Sequence, residues 1–400
     1  MDETRNVKIQ VRGVSKVFGK QPKNALELRD QGLNRSEILE KTGQTLGLSN
    51  VSFDVYEGEL LVIMGLSGSG KSTLIRCLNR LIDTSEGDIV IDDEHIPTLS
   101  TKELLECRRR HFSMVFQNFA LFPHKTVLQN AQFGLEIRGI DPAERDKTAR
   151  ESLTQVGLDG WEDAYPNQLS GGMQQRVGLA RALANDSSVL LMDEAFSALD
   201  PLIRKDMQQE LLQLQSRMQK TTVFITHDLD EALNIGDRIV LLKDGEVVQI
   251  GTPEQILTQP ADDYVRRFIE GVDRSRILTA ESAMRPVRTT ARESDGPRTA
   301  LHRMRDNSVD SIYVTDRDRN LLGLLEAEEA SRAVAAGADT ITDYLTQDFR
   351  KVSPEEPLQS LFSMFSEKSF PIAVVDDQQR LLGVVVKGAV LDELARAGDK

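Results

Sequence analysis

Cysteine is scarce: the 400-residue chain has two, Cys77 and Cys107. So few unpatterned thiols exclude a disulfide framework or a cysteine-rich metal knot. They suggest a reducing compartment and two buried thiols, and argue against metal or redox use of either. Basic charge is also in deficit, with 49 Lys and Arg against 63 Asp and Glu for a net charge of −14, which argues against a broad nucleic-acid surface. No stretch approaches the ~20 apolar residues that span a bilayer. Met1–Arg5 lacks the apolar core of a signal peptide. The expectation is a chain soluble in itself, held at any membrane by some other chain. The length suffices for two or three domains with sizeable cores.

Among what is present, Gly65-Leu66-Ser67-Gly68-Ser69-Gly70-Lys71-Ser72 fits the phosphate-loop pattern G-x-x-x-x-G-K-[ST]. It lies between an apolar run, Leu60–Met64, and a helical one, Thr73–Leu81, which is the strand–loop–helix context the motif requires. The glycines let the backbone wrap close to a nucleotide, and amide groups and the helix N-terminus face its anionic oxygens. Lys71 reaches the outer phosphates, and Ser72 can hold Mg²⁺.

Upstream, Val7–Val11 alternates like a strand, and Val14–Gly19 carries Phe18, an aromatic able to stack on adenine although such a residue more often packs in a core. Residues 20–49 read as an insertion rich in helix formers, with Asn34 and Glu37 at capping-box spacing; a surface helix beside the nucleotide mouth is expected. Val51–Val55 and Ile89–Asp92 read as strands, and 100–110 as a charged helix whose Arg108–Arg110 run is a solvated face. Met114–Phe116 is a short strand closed by Gln117, and the apolar loop Phe119–His124 behind it suggests a docking surface for a partner. Helices are expected at 126–138 and 142–157.

Leu169-Ser170-Gly171-Gly172 opens a further helix and offers a second phosphate-binding geometry: a hydroxyl, close backbone and a positive dipole end. Val189–Met192 is continuously apolar, as in a parallel sheet buried on both faces, and ends in Asp193 and Glu194. After a phosphate loop, Asp193 can hold Mg²⁺ through water and Glu194 can accept a proton from attacking water. Ser197–Asp200 leads into an amphipathic helix over 201–219. The strand Thr222–Ile225 is followed by His227, one of five histidines, placed to sense a terminal phosphate. A hairpin over 239–250 and a helix-rich exit over 253–270 close the first domain.

The tail repeats itself: Tyr313–Asp316 with Leu321–Gly323 matches Ala373–Asp376 with Leu381–Gly383. Each unit reads helix, two strands, helix, and should pair with its twin to bury one face. Residues 285–299, polar and punctuated by Pro286, Gly296 and Pro297, read as a weakly ordered approach.

The ordered set Phe18, Gly65–Thr73, Gln117, Leu169–Gln174, Val189–Glu194, Ser197–Asp200 and His227 resembles the nucleotide-binding subunit of an ABC transporter over roughly residues 7–270. More narrowly, the insertion, the strings Met64–Ser72 and Asp193–Arg204 and the repeated tail resemble the ATPase of bacterial glycine betaine/proline importers, with a paired cystathionine-β-synthase (CBS) module at the C-terminus. The resemblance implies an α/β P-loop NTPase of ABC type, RecA-like core plus helical subdomain (about 99–186), over 1–275, and a tandem CBS pair over 276–400 (about 277–336 and 340–397). It implies an ATPase using ATP and Mg²⁺. Gly65, Ser67, Gly68, Ser69, Gly70, Lys71, Ser72 and Thr73 hold the nucleotide, with Phe18; Ser72, Gln117 and Asp193 serve the metal.

By the same resemblance, two copies stack head to tail, each ATP sandwiched between one chain's phosphate loop and the other's Ser170, Gly171 and Gly172. Asp200 works across the interface, Glu194 is the general base and His227 steadies the terminal phosphate. Gln117 reports nucleotide state to a membrane permease through the Phe119–His124 loop. A solute-binding protein is an indirect partner, nucleic acid is not one, and the subunit sits at the cytoplasmic face of the bacterial plasma membrane. Met173 departs from the Gln carried by many members. In the tail, Glu326 and Glu329, then Val386 and Ala389, stand where nucleotide-binding CBS pairs carry Ser/Thr and Asp, which favours electrostatic sensing or a structural dimer contact.

Overall fold

Alternating burial of Ile9 and Val11, then Val14 and Val17, makes Val7–Phe18 one long strand, β1, in a computed structural model. That model describes residues 6–270, 275, 277–367 and 370–396, so the pentapeptide Met1–Arg5 lies outside the described residues. Two short helices follow, α1 (Pro22–Asp30) and α2 (Arg35–Thr42). The capping box anticipated at Asn34 and Glu37 starts α2, and Gly43, left-handed at φ 68°, ends it. Strand β2 (Thr45–Tyr56) pairs antiparallel with β1, so the last residues of the 20–49 stretch already belong to the sheet.

The chain continues through β3 (Leu60–Met64), α3 (Lys71–Leu78), β4 (Glu86–Ile91), β5 (Glu94–His95), α4 (Thr101–His111) and β6 (Phe112–Phe116). A helical layer comes next: α5 (Val127–Ile137), α6 (Pro142–Gln155) and α7 (Gly171–Ala184). Then come β7 (Val189–Asp193), α8 (Pro201–Met218), β8 (Thr221–Thr226), α9 (Leu229–Ile235), the hairpin β9 (Arg238–Lys243) and β10 (Glu246–Gly251), α10 (Pro253–Thr258) and α11 (Asp263–Phe268).

Two sheets result. One runs β2-β1-β4-β5; the other runs β10-β9-β3-β8-β7-β6 and is parallel from β9 to β6. Every residue of β3, β7 and β8 is buried, as their continuous apolarity requires. Between the sheets, Ile9, Val11 and Leu48 meet Leu61, Ile63, Val223 and the inner face of α3, Leu74, Ile75 and Leu78. Burying one such side chain stabilises by roughly 1.5–3 kcal/mol. Among the described residues no helix is long and apolar enough to cross a membrane.

The chain divides into two compact units, residues 1–270 and 271–400. The second begins with α12 (Ala280–Ala283) and holds two similar halves. In the first, β11 (Thr290–Arg292), α13 (Pro297–Asp306), β12 (Ser311–Thr315), β13 (Leu321–Glu326) and α14 (Ala327–Ala335) form a sheet of order β11-β12-β13 with covering helices. In the second, β14 (Lys351–Val352), α15 (Leu358–Glu367), β15 (Ile372–Val375), β16 (Leu381–Val385) and α16 (Lys387–Arg396) repeat it.

The halves pair as expected, and reciprocally. Leu321 N donates to Gln379 O as Leu381 N donates to Arg319 O, and Arg285 bridges Val384 as Thr346 bridges Leu324. Tyr313, Leu324, Ala373 and Leu381 are buried where the halves meet.

Two sequence expectations fail. Residues 285–299 are not a weakly ordered approach: Arg285 joins Val384, and β11 pairs parallel with β12 around the fully buried Ala291. Gly296 and Pro297, taken as linker punctuation, are the N-cap and first residue of α13, where proline's missing N–H costs nothing. Nor is Arg108–Arg110 simply a solvated face: Arg108 donates to the carbonyls of Asn79 and Arg80 at 2.8 and 2.6 Å, tying α4 to the end of α3.

Candidate active site

Strand register builds one reactive edge. Met64 of β3 pairs with Thr226 of β8, Ile225 with Asp193 of β7, and Asp193 with Phe116 of β6. Gly65, His227, Glu194 and Gln117, each the next or next-but-one residue, therefore leave the sheet at the same level.

The loop after β3 is shaped by backbone contact. Gly65 has φ 151°, and a Cβ there would lie 2.2 Å from the Leu242 carbonyl oxygen. At Gly70, φ 104°, a Cβ would lie 2.7 Å from the Gly47 carbonyl. Both positions admit only glycine. Ser67 and Gly68 are exposed, Ser69 is buried with its hydroxyl unpartnered, and Thr73 sits half-buried in the first turn of α3.

Lys71 is buried, its Nζ donating to Gly65 O at 2.8 Å and Leu66 O at 3.1 Å. Burial pulls its pKa below the ordinary lysine value, opposed by Glu194 and Asp193. Glu194 Oε1 is 3.9 Å from that ammonium. Ser72 Oγ donates to Asp193 Oδ1 at 2.9 Å, and Arg76 reaches the other carboxylate oxygen at 3.2 Å. A hydroxyl and a carboxylate side by side are the hard oxygen donors that suit Mg²⁺.

Glu194 adopts a left-handed backbone, φ 47°, a strained conformation for a side-chain-bearing residue of the kind that gathers at functional sites. Its Oε2 lies 3.2 Å from His227 Nδ1. Gln117 is exposed directly after β6. Phe18 is 43% exposed at the end of β1 with Lys16 Nζ 5.3 Å from its ring centre, so it is not a core aromatic.

The other marked residues stand apart. Ser170 caps α7, its Oγ accepting from Met173 N at 3.3 Å. A Cβ at Gly171 would meet Leu199 and Phe119 at 3.8 Å, and one at the buried Gly172 would lie 2.6 Å from Ile203 Cγ2; none of these belongs to the phosphate loop. Asp200 caps α8, accepting from Leu202 N and Ile203 N at 3.2 and 3.1 Å.

The Phe119–His124 loop is partly tucked in. Arg181 donates to the carbonyls of Phe119 and Ala120, and Phe122 packs on Phe133 with ring centres 4.3 Å apart. Beside it lies a groove of about 540 Å³ walled by Met114, Phe116, Phe133, Ile137 and Arg138.

Sequence reasoning missed two features. Arg35, the first residue of α2, donates to Gly68 O at 2.9 Å, so the insertion touches the phosphate loop. The capping box marks where that helix starts, but nothing local says where it docks. In the second unit, Arg285, Arg288, Tyr313, Val384 and Asp392 wall a cavity of about 810 Å³.

A phosphate loop, two carboxylates at the end of a parallel strand two places along the same sheet, and a second Ser-Gly-Gly helix start define a nucleotide-hydrolysing cassette. The family model described as ABC transporter matches residues 48–197, and that of the CBS domain matches 280–336 and 341–396. The glycine betaine transport ATP-binding protein OpuAA of Bacillus subtilis is 53% identical over 98% of this chain and 94% of its own length. The glycine betaine/proline betaine transport system ATP-binding protein ProV of Salmonella typhimurium is 47% identical over 98% of each chain. A solved dimeric ATP-binding cassette in a post-hydrolysis state, bound to ADP and Pi, matches with TM-score 0.52 and 34% identity, covering 61% of this chain and 98% of that one.

The chain belongs to the ATP-binding subunits of ABC transporters and is an ATPase. Within that family it groups with the glycine betaine transport ATP-binding proteins.

Proposed function

We propose that this ATPase drives a bacterial importer for an osmolyte, the quaternary-ammonium compound glycine betaine or proline. Hydrolysis rests on one observation, the convergence of Lys71, Ser72, Asp193, Glu194 and His227 on a single sheet edge. The solute rests on full-length likeness to the betaine relatives.

In this reading Gly65, Ser67–Thr73 and Lys71 cradle the phosphates, and Phe18 stacks on adenine. Ser72, Asp193 and Gln117 would hold Mg²⁺, which when bound neutralises phosphate charge. Glu194 takes the proton of the attacking water, and His227, a hydrogen bond away, holds the terminal phosphate. A second copy contributes Ser170, Gly171 and Gly172, with Asp200 at the seam.

The permease docks at the groove beside Phe119–His124 and keeps the subunit at the cytoplasmic membrane face; a solute-binding protein acts indirectly. The ATPase domain spans about 1–275, with a helical subdomain at about 99–186 and an insertion at about 20–49. The CBS pair over 276–400 responds to ionic strength, so its deletion leaves basal hydrolysis intact and alters the salt response of the assembled transporter. An unchanged salt response removes the tail from that role. An importer of another small solute is the alternative reading, since this chain has no need to touch the cargo. Co-purified with its permease in vesicles, the protein should drive ATP-dependent glycine betaine uptake; uptake of a different solute instead would correct the assignment.

A further inference from the structure

One group outside the nucleotide site carries metal-ligand chemistry. Cys107 and His111 lie four residues apart on α4, on one face of the helix, with 0% and 5% of their surfaces exposed. Glu94 of β5 faces them, half-buried. The Cys107 Sγ, a ring nitrogen of His111 and a carboxylate oxygen of Glu94 all lie within 4.8 Å of one another.

The imidazole is oriented as a ligand would be. Its Nδ1 lies 3.1 Å from Ser188 Oγ and 3.4 Å from Asp92 Oδ2. Its Nε2, buried and without a hydrogen-bond partner, lies 3.6 Å from Glu94 Oε1. Metal-bound histidines are held in this way, one nitrogen fixed by a carboxylate or hydroxyl and the other free for the ion. An interior nitrogen left unpaired otherwise calls for an explanation.

We propose that Cys107, His111 and Glu94 bind a borderline-soft divalent transition-metal ion of the Zn²⁺ class. Sulfur, nitrogen and oxygen donors together select such an ion over Mg²⁺ or Ca²⁺. Bonds of about 2.0–2.3 Å set tetrahedral donors roughly 3.3–3.8 Å apart, so the gap between His111 and Glu94 already fits. Binding displaces the thiol proton of Cys107 to water, and at Glu94 Oε1, the oxygen that faces His111 and also pairs with Arg110, the ion takes the place of the guanidinium.

His111 also lines a polar cavity of about 310 Å³ with Lys8, Arg110, Ser188 and Thr221, on the side of its Nδ1 contact with Ser188. Because α4 runs straight into β6, an ion joining β5 to the last turn of α4 anchors the root of the strand that leads to Gln117. The proposed ion runs against the expectation from cysteine count alone, that neither thiol serves a metal.

The test uses untagged, full-length, nucleotide-free protein stripped with chelator and titrated with Co²⁺, then with Zn²⁺ as competitor. The expected result is one Co²⁺ per chain with a thiolate-to-cobalt charge-transfer band that Zn²⁺ abolishes. The band should vanish in Cys107→Ser, persist in Cys77→Ser, and appear only at tenfold or more higher Co²⁺ in Glu94→Gln and His111→Ala. Absence of the band at one equivalent, or its persistence in Cys107→Ser, overturns the site. Should Cys107→Ser fail to fold, unchanged Co²⁺ affinity in folded Glu94→Gln overturns it equally.

Discussion

Two helices of the first unit start on glycine and serine, and their surroundings could hardly differ more. The start of α3 is charged and tightly tied, with Lys71 buried against the loop carbonyls, Ser72 on Asp193, and Glu194 and His227 across the edge. The start of α7 has a hydroxyl and two glycines whose nearest neighbours are the apolar side chains of Leu199, Phe119 and Ile203. The first gathers the groups proposed to hold a phosphate and activate water; the second places a capping hydroxyl and two glycines beside apolar side chains. The difference supports the proposed sandwich, in which the second start completes a site belonging to another copy of the chain.

Breaking the charged start should have the largest effect. Glu194→Gln should lower ATP turnover by about 10²–10⁴ while nucleotide still binds and traps an associated dimer. Steady-state hydrolysis and size-exclusion chromatography with ATP check this, and undiminished turnover would remove Glu194 from its role.

A graded effect should come from pH. Burial lowers the folded-state pKa of Lys71, so between that value and the ordinary one the folded protein has lost a proton the unfolded chain retains. Across that window this residue's contribution to stability rises with pH, while the charge that meets the phosphates is lost. ATP affinity should therefore begin to fall on the alkaline side at lower pH than free lysine would dictate. Binding titrations across that range, with Lys71→Ala as the flat control, measure it.

The smallest effect belongs to the insertion. Arg35→Ala removes one exposed hydrogen bond to Gly68, worth about 1 kcal/mol, and should weaken ATP binding about fivefold or less. A much larger loss would make α2 part of the site proper.

The same contrast shows what the sequence carries. The residues at the α3 edge are legible because a phosphate loop encodes its own backbone, and the continuous apolar runs of β3, β7 and β8 can only be neighbouring parallel strands. The tail's twofold character is legible because the repeat is printed twice. What escapes is docking: Arg35 onto Gly68, Glu94 onto Cys107 and His111, and β11 onto β12 join segments whose local composition says nothing of their partners. Residues 285–299 mislead for a related reason, since proline and glycine mark a helix start as well as a linker.

The most direct test of two-chain completion mixes two inactive variants. Lys71→Ala spoils the first helix start and leaves the second intact; Ser170→Arg does the reverse. Each alone should be inactive, and co-assembly should restore hydrolysis, because the mixed dimer holds one site with both halves whole. Full turnover by Ser170→Arg alone would contradict the account.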